Sequence, residues 1–263
     1  MHNNLQYQVF TEQYGTDPHQ TGDLYIPAQK SKGTVCLFHG GFWKMPYDKS
    51  QLDAVAVKLV ENTFCVWNIE YRRVGYLPQG YPETFIDAIA AINQLAPLSK
   101  KYPQLAPRPL YVAGHSAGGH LSLWLGNHKA RLGKHALTIV PDVFIGLAPV
   151  VDLVESYRDM QRREFITAFL GCTPDENRDI YHQTSPIALL PAQGKQVIFH
   201  GEHDEVLPIG EIDDYARQAR QNGTPVEQIY IAQGTHMDFC DPDSSSTSRF
   251  IHWLNAQSEL QAV

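Results

Sequence analysis

Three short stretches of this 263-residue chain carry side chains whose types and spacing could do chemistry together. The first is Gly114-His115-Ser116-Ala117-Gly118, a G-x-S-x-G pattern at the point where the apolar run RPLYVAGHS turns directly into a helical pattern from about Ala117 to His128. A serine at so tight a strand-to-helix corner is held in a strained backbone conformation, and flanking glycines are needed because a Cβ would keep strand and helix apart. The corner would present the Ser116 hydroxyl at the open end of a sheet, with the helix N-terminus aimed at an oxygen that becomes negative. Such a serine suits nucleophilic attack on a carbonyl, but a hydroxyl is a weak nucleophile at neutral pH. It needs a base, and the base needs a partner that orients it.

The other two stretches supply both. In HGEHDEVLP an acid just past a strand end can reach an imidazole; Asp204 fits best, with Glu202 and Glu205 as neighbours that could also serve. In GTHMDFCDP, His236 follows the last strand on a loop opened by Gly234, where it can fold back towards Ser116 as general base. An earlier apolar run ends in His39-Gly40-Gly41-Phe42-Trp43, whose backbone N–H groups can point into the space above the sheet. The expected oxyanion donors are Ala117 and either Gly40 or Gly41, with His39 in a supporting role. Two rival readings of the serine corner are a dinucleotide turn, which wants glycine where Ser116 stands, and a plain helix-capping turn.

These residues require a particular frame. LQYQVF near 5 to 10 and GDLYIP near 22 to 27 read as an edge hairpin or meander. GTVCLFHGG is a strand buried on both faces, and the pattern from Tyr47 to Asn62, capped by Asp48, is a helix. TFCVWNIEYR, RPLYVAGHS, PDVFIGLAPV, KQVIFHGEHD and VEQIYIA are further strands. Between them lie ETFIDAIAAINQLA, with Phe85, Ile89, Ile92 and Leu95 on one face, and a helix over roughly 206 to 222; STSRFIHWLNAQ follows as the last. The alternation predicts a mostly parallel eight-stranded sheet with helices on both faces. Residues 151–190 break the rhythm: VESYRDMQRREFITAFLG looks helical, PDENRDIYHQTSPIALLP looks polar and loop-rich, and together they read as a small lid inserted in a single domain spanning 1–263.

Composition narrows the partners. Hydrophobic residues make up 43% and charged residues 19%, as in an ordinary globular protein. No run of about 18 apolar residues could cross a bilayer. With 21 basic against 28 acidic residues the formal charge is −7, which argues against a nucleic-acid partner. Cys36, Cys65, Cys172 and Cys240 are scattered, so free thiols are expected and no disulfide framework, metal or cofactor. The opening MHNNLQYQVF lacks a basic patch followed by an apolar core, so no secretory signal and a cytoplasmic location are expected. The expected partner is a small molecule, and the sequence is silent on oligomeric state.

Taken together, HGGFW, EYRRVG, YPETFIDAIAAI, GHSAGGHL, SPI, HGEHDEVLP and GTHMDF resemble the α/β-hydrolase branch that contains kynurenine formamidase (arylformamidase) and small esterases of the hormone-sensitive-lipase type. The resemblance runs from about Asp23 to Phe239 and agrees with the reading from spacing. It implies an α/β-hydrolase fold with Ser116 as nucleophile, Asp204 as acid, His236 as base and the HGG glycines as oxyanion loop. It also implies cleavage of an aryl formamide such as N-formylkynurenine, or of a short-chain carboxylic ester. The formamidases usually carry tyrosine where this chain has Phe42. Phe42, Trp43, Tyr71, Tyr76, Tyr81 and Trp124 are candidates for an aromatic substrate wall, each equally able to pack in a core. Arg72 and Arg73 could meet a substrate carboxylate or form structural ion pairs. The remaining alternatives are a broad-specificity carboxylesterase with no formamidase role, a short peptidase or cutinase-like lipase, and a non-catalytic ligand-binding protein.

Overall fold

The computed structural model describes residues 7–105, 108–127 and 132–260. Its centre is one eight-stranded sheet: β1 (Tyr7–Gln13), β2 (Thr21–Pro27), β3 (Thr34–Phe38), β4 (Cys65–Ile69), β5 (Leu110–His115), β6 (Val143–Leu147), β7 (Lys195–Gly201) and β8 (Val226–Ile231). The spatial order is β1-β2-β4-β3-β5-β6-β7-β8. β1 and β2 form the expected antiparallel edge, and every pair from β4 through β8 is parallel. This is the α/β-hydrolase fold. Leu5 and Gln6 of the expected first strand, and His128 at the expected end of the helix after Ser116, lie outside the described residues.

Side chains alternate across the central strands, so each strand feeds two cores. Val35, Leu37, Val66, Tyr111, Ala113, Ile145, Val197 and Phe199 point to one face, where helices α1 (Asp53–Glu61) and α9 (Ser245–Leu260) deliver Val55, Leu59, Phe250 and Leu254. Cys36, Phe38, Trp67, Ile69, Val112 and Phe144 point to the other, against helices α2 (Glu83–Asn93), α3 (Leu95–Lys101) and α4 (Ala117–Leu125). The i, i+4, i+7 set Phe85, Ile89 and Ile92 on α2 is buried, as its periodicity requires. Asp48 caps as expected, accepting from Ser50 N at 2.9 Å, although the first turn it caps is a 3-10 turn ahead of α1.

Residues 151–190 hold more helix than the sequence suggests. The first half is two helices, α5 (Leu153–Arg158) and α6 (Arg163–Leu170), and the supposed loop contains α7 (Arg178–Thr184) and a 3-10 turn at Pro186–Leu189. Asn177 caps α7 through Ile180 N, and Tyr181 and Thr184 are buried beneath it. Local polarity hid a helix that a cap and two buried side chains stabilise. The remaining helix, α8 (Ile209–Gln221), follows the β7 loop. No helix of the described residues is long and apolar enough to cross a membrane.

Glycine controls how closely α4 meets the sheet. A Cβ on Gly114 would lie 2.2 Å from Gly118 O, and one on Gly118 would lie 2.0 Å from Phe38 O, both immovable backbone atoms. Gly210, in the first turn of α8, has nothing within 4 Å of a built Cβ. Gly114→Ala is therefore predicted to cost about 1–3 kcal/mol or more in urea unfolding, whereas Gly210→Ala should be neutral or stabilise by up to about 1 kcal/mol.

His120 on α4 is fully buried among Trp43, Phe85 and Phe169, with Nε2 donating to Thr184 O at 2.8 Å. Burial lowers its pKa to about 4. On acidification the unfolded chain takes up a proton near pH 6.5 that the folded chain refuses until about pH 4, so stability is full above that window and lost on descending through it. We predict that His120→Gln flattens the decline of the denaturation midpoint between pH 6.5 and 4, by up to about 1.4 kcal/mol per pH unit. An unchanged slope would contradict this account of His120.

Candidate active site

The parallel strands bring Ser116, Asp204 and His236 to one end of the sheet, just past the C-terminal ends of β5, β7 and β8. Ser116 has φ of 52° and ψ of −112°, a left-handed conformation that costs a non-glycine residue about 1–3 kcal/mol. It is held there by its N–H bonded to Leu147 O at 2.9 Å and its C=O accepting from His120 N at 3.0 Å. Ala117 is the first residue of α4, so its N–H belongs to the unsatisfied first turn of that helix.

Asp204 is fastened at both oxygens. Oδ1 accepts from the N–H groups of Val206 and Leu207, each at 2.8 Å, and Oδ2 pairs with His236 Nδ1 at 2.8 Å. Burial opposes ionisation of the carboxyl, but the His236 bond and charge and the Leu207 amide outweigh it and hold the pKa below the usual value. Glu202 and Glu205 are exposed, and Asp204 is the acid that meets His236. His236 opens a 3-10 turn, His236–Cys240, fixed by a capping box between Thr235 and Asp238. The carboxylate accepts a hydrogen bond from the Nδ1–H, which leaves Nε2 as the basic nitrogen. A carboxylate-oriented imidazole at the same sheet end as a serine on a strained corner supplies the groups that can activate a hydroxyl.

His115 went unmarked in the sequence, where it occupied a variable motif position within an apolar strand. It is fully enclosed, donates from Nε2 to His236 O at 2.9 Å, and has Cys240 Sγ 3.3 Å from Nδ1. Burial lowers its pKa to about 3, so it stays neutral. A Cβ on Gly40 would lie 2.8 Å from His115 Nδ1. One side chain next to the serine thus touches both the segment that carries His236 and the glycine loop.

That loop is built on a buried polar group. Glu70 Oε1 meets His39 Nε2 at 3.0 Å and Tyr71 N at 2.8 Å, and also takes Arg73. His39 stacks on Tyr71 at 4.3 Å and 9°, and the Tyr71 hydroxyl donates to His39 O at 2.9 Å. His39 therefore has the supporting role expected of it. The Gly40 N–H is engaged by Gln51 Oε1 at 2.7 Å. Beyond it the chain makes a turn closed by Lys44 N to Gly41 O at 3.1 Å, with φ of 96° at Gly41, 54° at Phe42 and 51° at Trp43. Left-handed central residues of this kind favour Asn and Gly; Phe and Trp there cost about 1–2 kcal/mol each.

The aromatic substrate wall needs correction. Trp43, Tyr71 and Trp124 are all fully buried. Trp43 stacks on Phe169, Tyr71 carries His39, and Trp124 packs on Phe85 while its Nε1 donates to Gln183 O at 2.8 Å. Their bulk made them good core fillers, which composition alone cannot distinguish from a ligand wall. Of the six candidates, Phe42, Tyr76 and Tyr81 keep solvent-facing surface, and the Tyr76 hydroxyl is engaged by Asp17 at 2.9 Å. Arg72 forms a bidentate pair with the buried Asp87, at 2.9 and 2.7 Å, and Arg73 is buried against Glu70, so both are structural ion pairs.

The BD-FAE family model matches residues 22–217, about three quarters of the chain. A probable isoprenylcysteine alpha-carbonyl methylesterase of Oryza sativa subsp. japonica is 25% identical across 86% of this chain and 56% of its own. The kynurenine formamidase of Danio rerio is 28% identical over 41% of this chain and 35% of its own. The chain thus spans about half the length of the first of these relatives. Among solved structures, a truncated carbohydrate esterase from gut microbiota covers 97% of this chain, which covers 98% of it, with a TM-score of 0.81 and 21% identity. The strained serine corner and the sheet that carries it agree with these likenesses: the chain belongs to the BD-FAE family, an esterase family of the α/β-hydrolase fold.

Proposed function

We propose that the protein is a serine esterase that cleaves small acyl esters through a covalent acyl-enzyme. The observation that carries this reading is the His236–Asp204 pair at 2.8 Å, held at the same sheet end as the left-handed Ser116. Ser116 Oγ attacks the ester carbonyl while His236 Nε2 takes its proton; His236 then gives that proton to the departing alkoxide. Water, deprotonated by the same imidazole, attacks the acyl-enzyme, and the tetrahedral intermediate collapses to the free acid as His236 returns the proton to Ser116 Oγ. Asp204 keeps the imidazole in the required tautomer and stabilises its protonated form. Each tetrahedral oxyanion is received by the N–H groups of Ala117 and Gly41. Gly41 takes this role rather than Gly40, whose N–H is bonded to Gln51.

In this reading Phe42 borders the substrate, and residues 151–190 act as a lid whose α6 lies over the glycine loop through Phe165 and Phe169. An arylformamidase activity is the second reading, favoured by the partial likeness to the Danio rerio kynurenine formamidase. The same steps would serve, with a formyl group transferred and an aryl amine leaving. The leaving nitrogen must be protonated as the C–N bond breaks, which His236 can do.

Ser116→Ala is predicted to lower kcat for p-nitrophenyl acetate by about four to six orders of magnitude with the fold retained. Turnover of the variant at the wild-type rate would remove Ser116 from the mechanism, and no labelling of Ser116 by a fluorophosphonate in the unaltered protein would favour a non-catalytic binding protein. Comparing kcat/KM for acetyl and butyryl esters with that for N-formylkynurenine separates the two enzyme readings. Higher values for the esters are expected; a preference of about tenfold or more for the formamide, a margin of about 1.4 kcal/mol in transition-state binding, would install the second reading.

A further inference from the structure

The left-handed turn at Gly41-Phe42-Trp43 carries aromatic residues at both central positions, where glycine or asparagine is the unstrained choice. A strained conformation persists only where its surroundings over-determine it. Here the surroundings come from α6, more than 120 positions later in the chain. Phe165 packs on Phe42 with ring centroids 4.4 Å apart, and Phe169 stacks on Trp43 at 4.3 Å and 8°. The Lys44 ammonium sits 4.4 Å over the Phe165 ring, so one α6 side chain touches both ends of the three-residue stretch Phe42 to Lys44.

Helix α6 is itself anchored. Arg162, at its N-terminal boundary, is buried and binds Glu211 of α8 with two nitrogens, one at 3.1 Å, and Asp159 at 3.1 Å. The Phe169 carbonyl accepts from both Gly80 N and Tyr81 N at 2.9 Å. The far side of the turn is pinned by Val74 N to Trp43 O at 2.9 Å and Met45 N to Val74 O at 2.8 Å. The turn is thus gripped between the β4 loop and a fixed helix.

We propose that Phe165 and Phe169 are positioning residues for the oxyanion site: their rings hold the turn left-handed, and the turn aims the Gly41 N–H at the developing oxyanion. This rests on the serine-esterase reading and deepens it. Residues 151–190 then do more than cover the site, because α6 sets the geometry of one oxyanion donor. Acylation and deacylation both pass through a tetrahedral oxyanion, so loss of the clamp lowers kcat whichever step limits turnover.

Phe165→Ala is the decisive variant, because Phe165 is only half-buried and Phe169 keeps the underlying core. We expect kcat for p-nitrophenyl acetate to fall about 10- to 100-fold with KM altered by less than about threefold. Affinity for an aryl trifluoromethyl ketone, whose serine adduct places an oxyanion at the same donors, should fall by the factor lost in kcat/KM. The midpoint of the kcat/KM pH profile should not move, since among the described residues no hydrogen bond, ion pair or ring contact joins α6 to the His236–Asp204 pair. Phe165→Tyr, which keeps the ring, should restore both quantities, and Phe165→Leu, with a milder loss of the same kind, serves if the alanine variant does not fold. Wild-type kcat in Phe165→Ala, a change confined to KM, a displaced pH midpoint, or ketone affinity retained while kcat falls would each overturn the clamp alone. If a fluorophosphonate fails to label Ser116 in the unaltered protein, the serine-esterase reading falls and the clamp with it.

Discussion

The close approach of α4 to the sheet is the constraint on which the site depends. A methyl group at Gly118 would stand 2.0 Å from the Phe38 carbonyl oxygen, so only glycine lets the helix start where it does. From that contact follow the left-handed backbone of Ser116, the position of the Ala117 N–H, and the nearness of the β3 loop to the β5 corner. A helix set even 1 Å higher would separate the serine from the glycine loop, and no side-chain rearrangement could restore the geometry. Interiors are close-packed, so such a displacement has no soft direction in which to be absorbed.

Three non-glycine residues at the site, Phe42, Trp43 and Ser116, adopt positive φ. Positive φ also occurs near other strand ends, at Thr63, Ala148 and Gln233. The three at the site are held by quite different means: Ser116 by backbone hydrogen bonds from the neighbouring strand and helix, Phe42 and Trp43 by aromatic faces supplied by α6. Backbone bonds confer rigidity that tolerates side-chain change. Aromatic packing confers rigidity that depends on the sequence of another segment, and so offers a route by which related chains could tune their chemistry without touching the glycines.

Around these strained residues each buried carboxylate has a partner. Glu70, His39 and Arg73 form one buried cluster, Asp87 and Arg72 a second, and Asp204 with His236 a third. Buried ion pairs contribute little net stability because desolvation opposes attraction, yet each is costly to break from one side. Their effect here is geometric: the first fixes the start of the glycine loop, the second ties the chain after β4 to α2, and the third sets an imidazole tautomer. The family likeness to esterases with differing names fits this division, since a shared frame leaves the outer surface, where Phe42 emerges, free to differ.

Local signals were enough for the frame. Apolar runs ending in glycines gave the strand order along the chain, and the helical spacing of residues such as Phe85, Ile89 and Ile92 gave the crossovers. The Ser116, Asp204 and His236 order placed three groups at strand ends that a parallel sheet must bring to one side. Other features were invisible because they depend on residues distant in the chain. The Gln51 carbonyl that engages Gly40 N–H, the His115 bond to His236 O, and the burial of Trp43, Tyr71 and Trp124 are facts about who is next to whom. Helix α7 was hidden by its polar surface until Tyr181 and Thr184 found a core to enter. What the sequence determined by itself was the periodicity of its elements and the chemistry of its short motifs, since both are written within a few residues of each other. Only the tertiary structure decided which amide hydrogen stays available and which aromatic rings are core, because hydrogen-bond competition and burial are settled by neighbours the chain meets after folding.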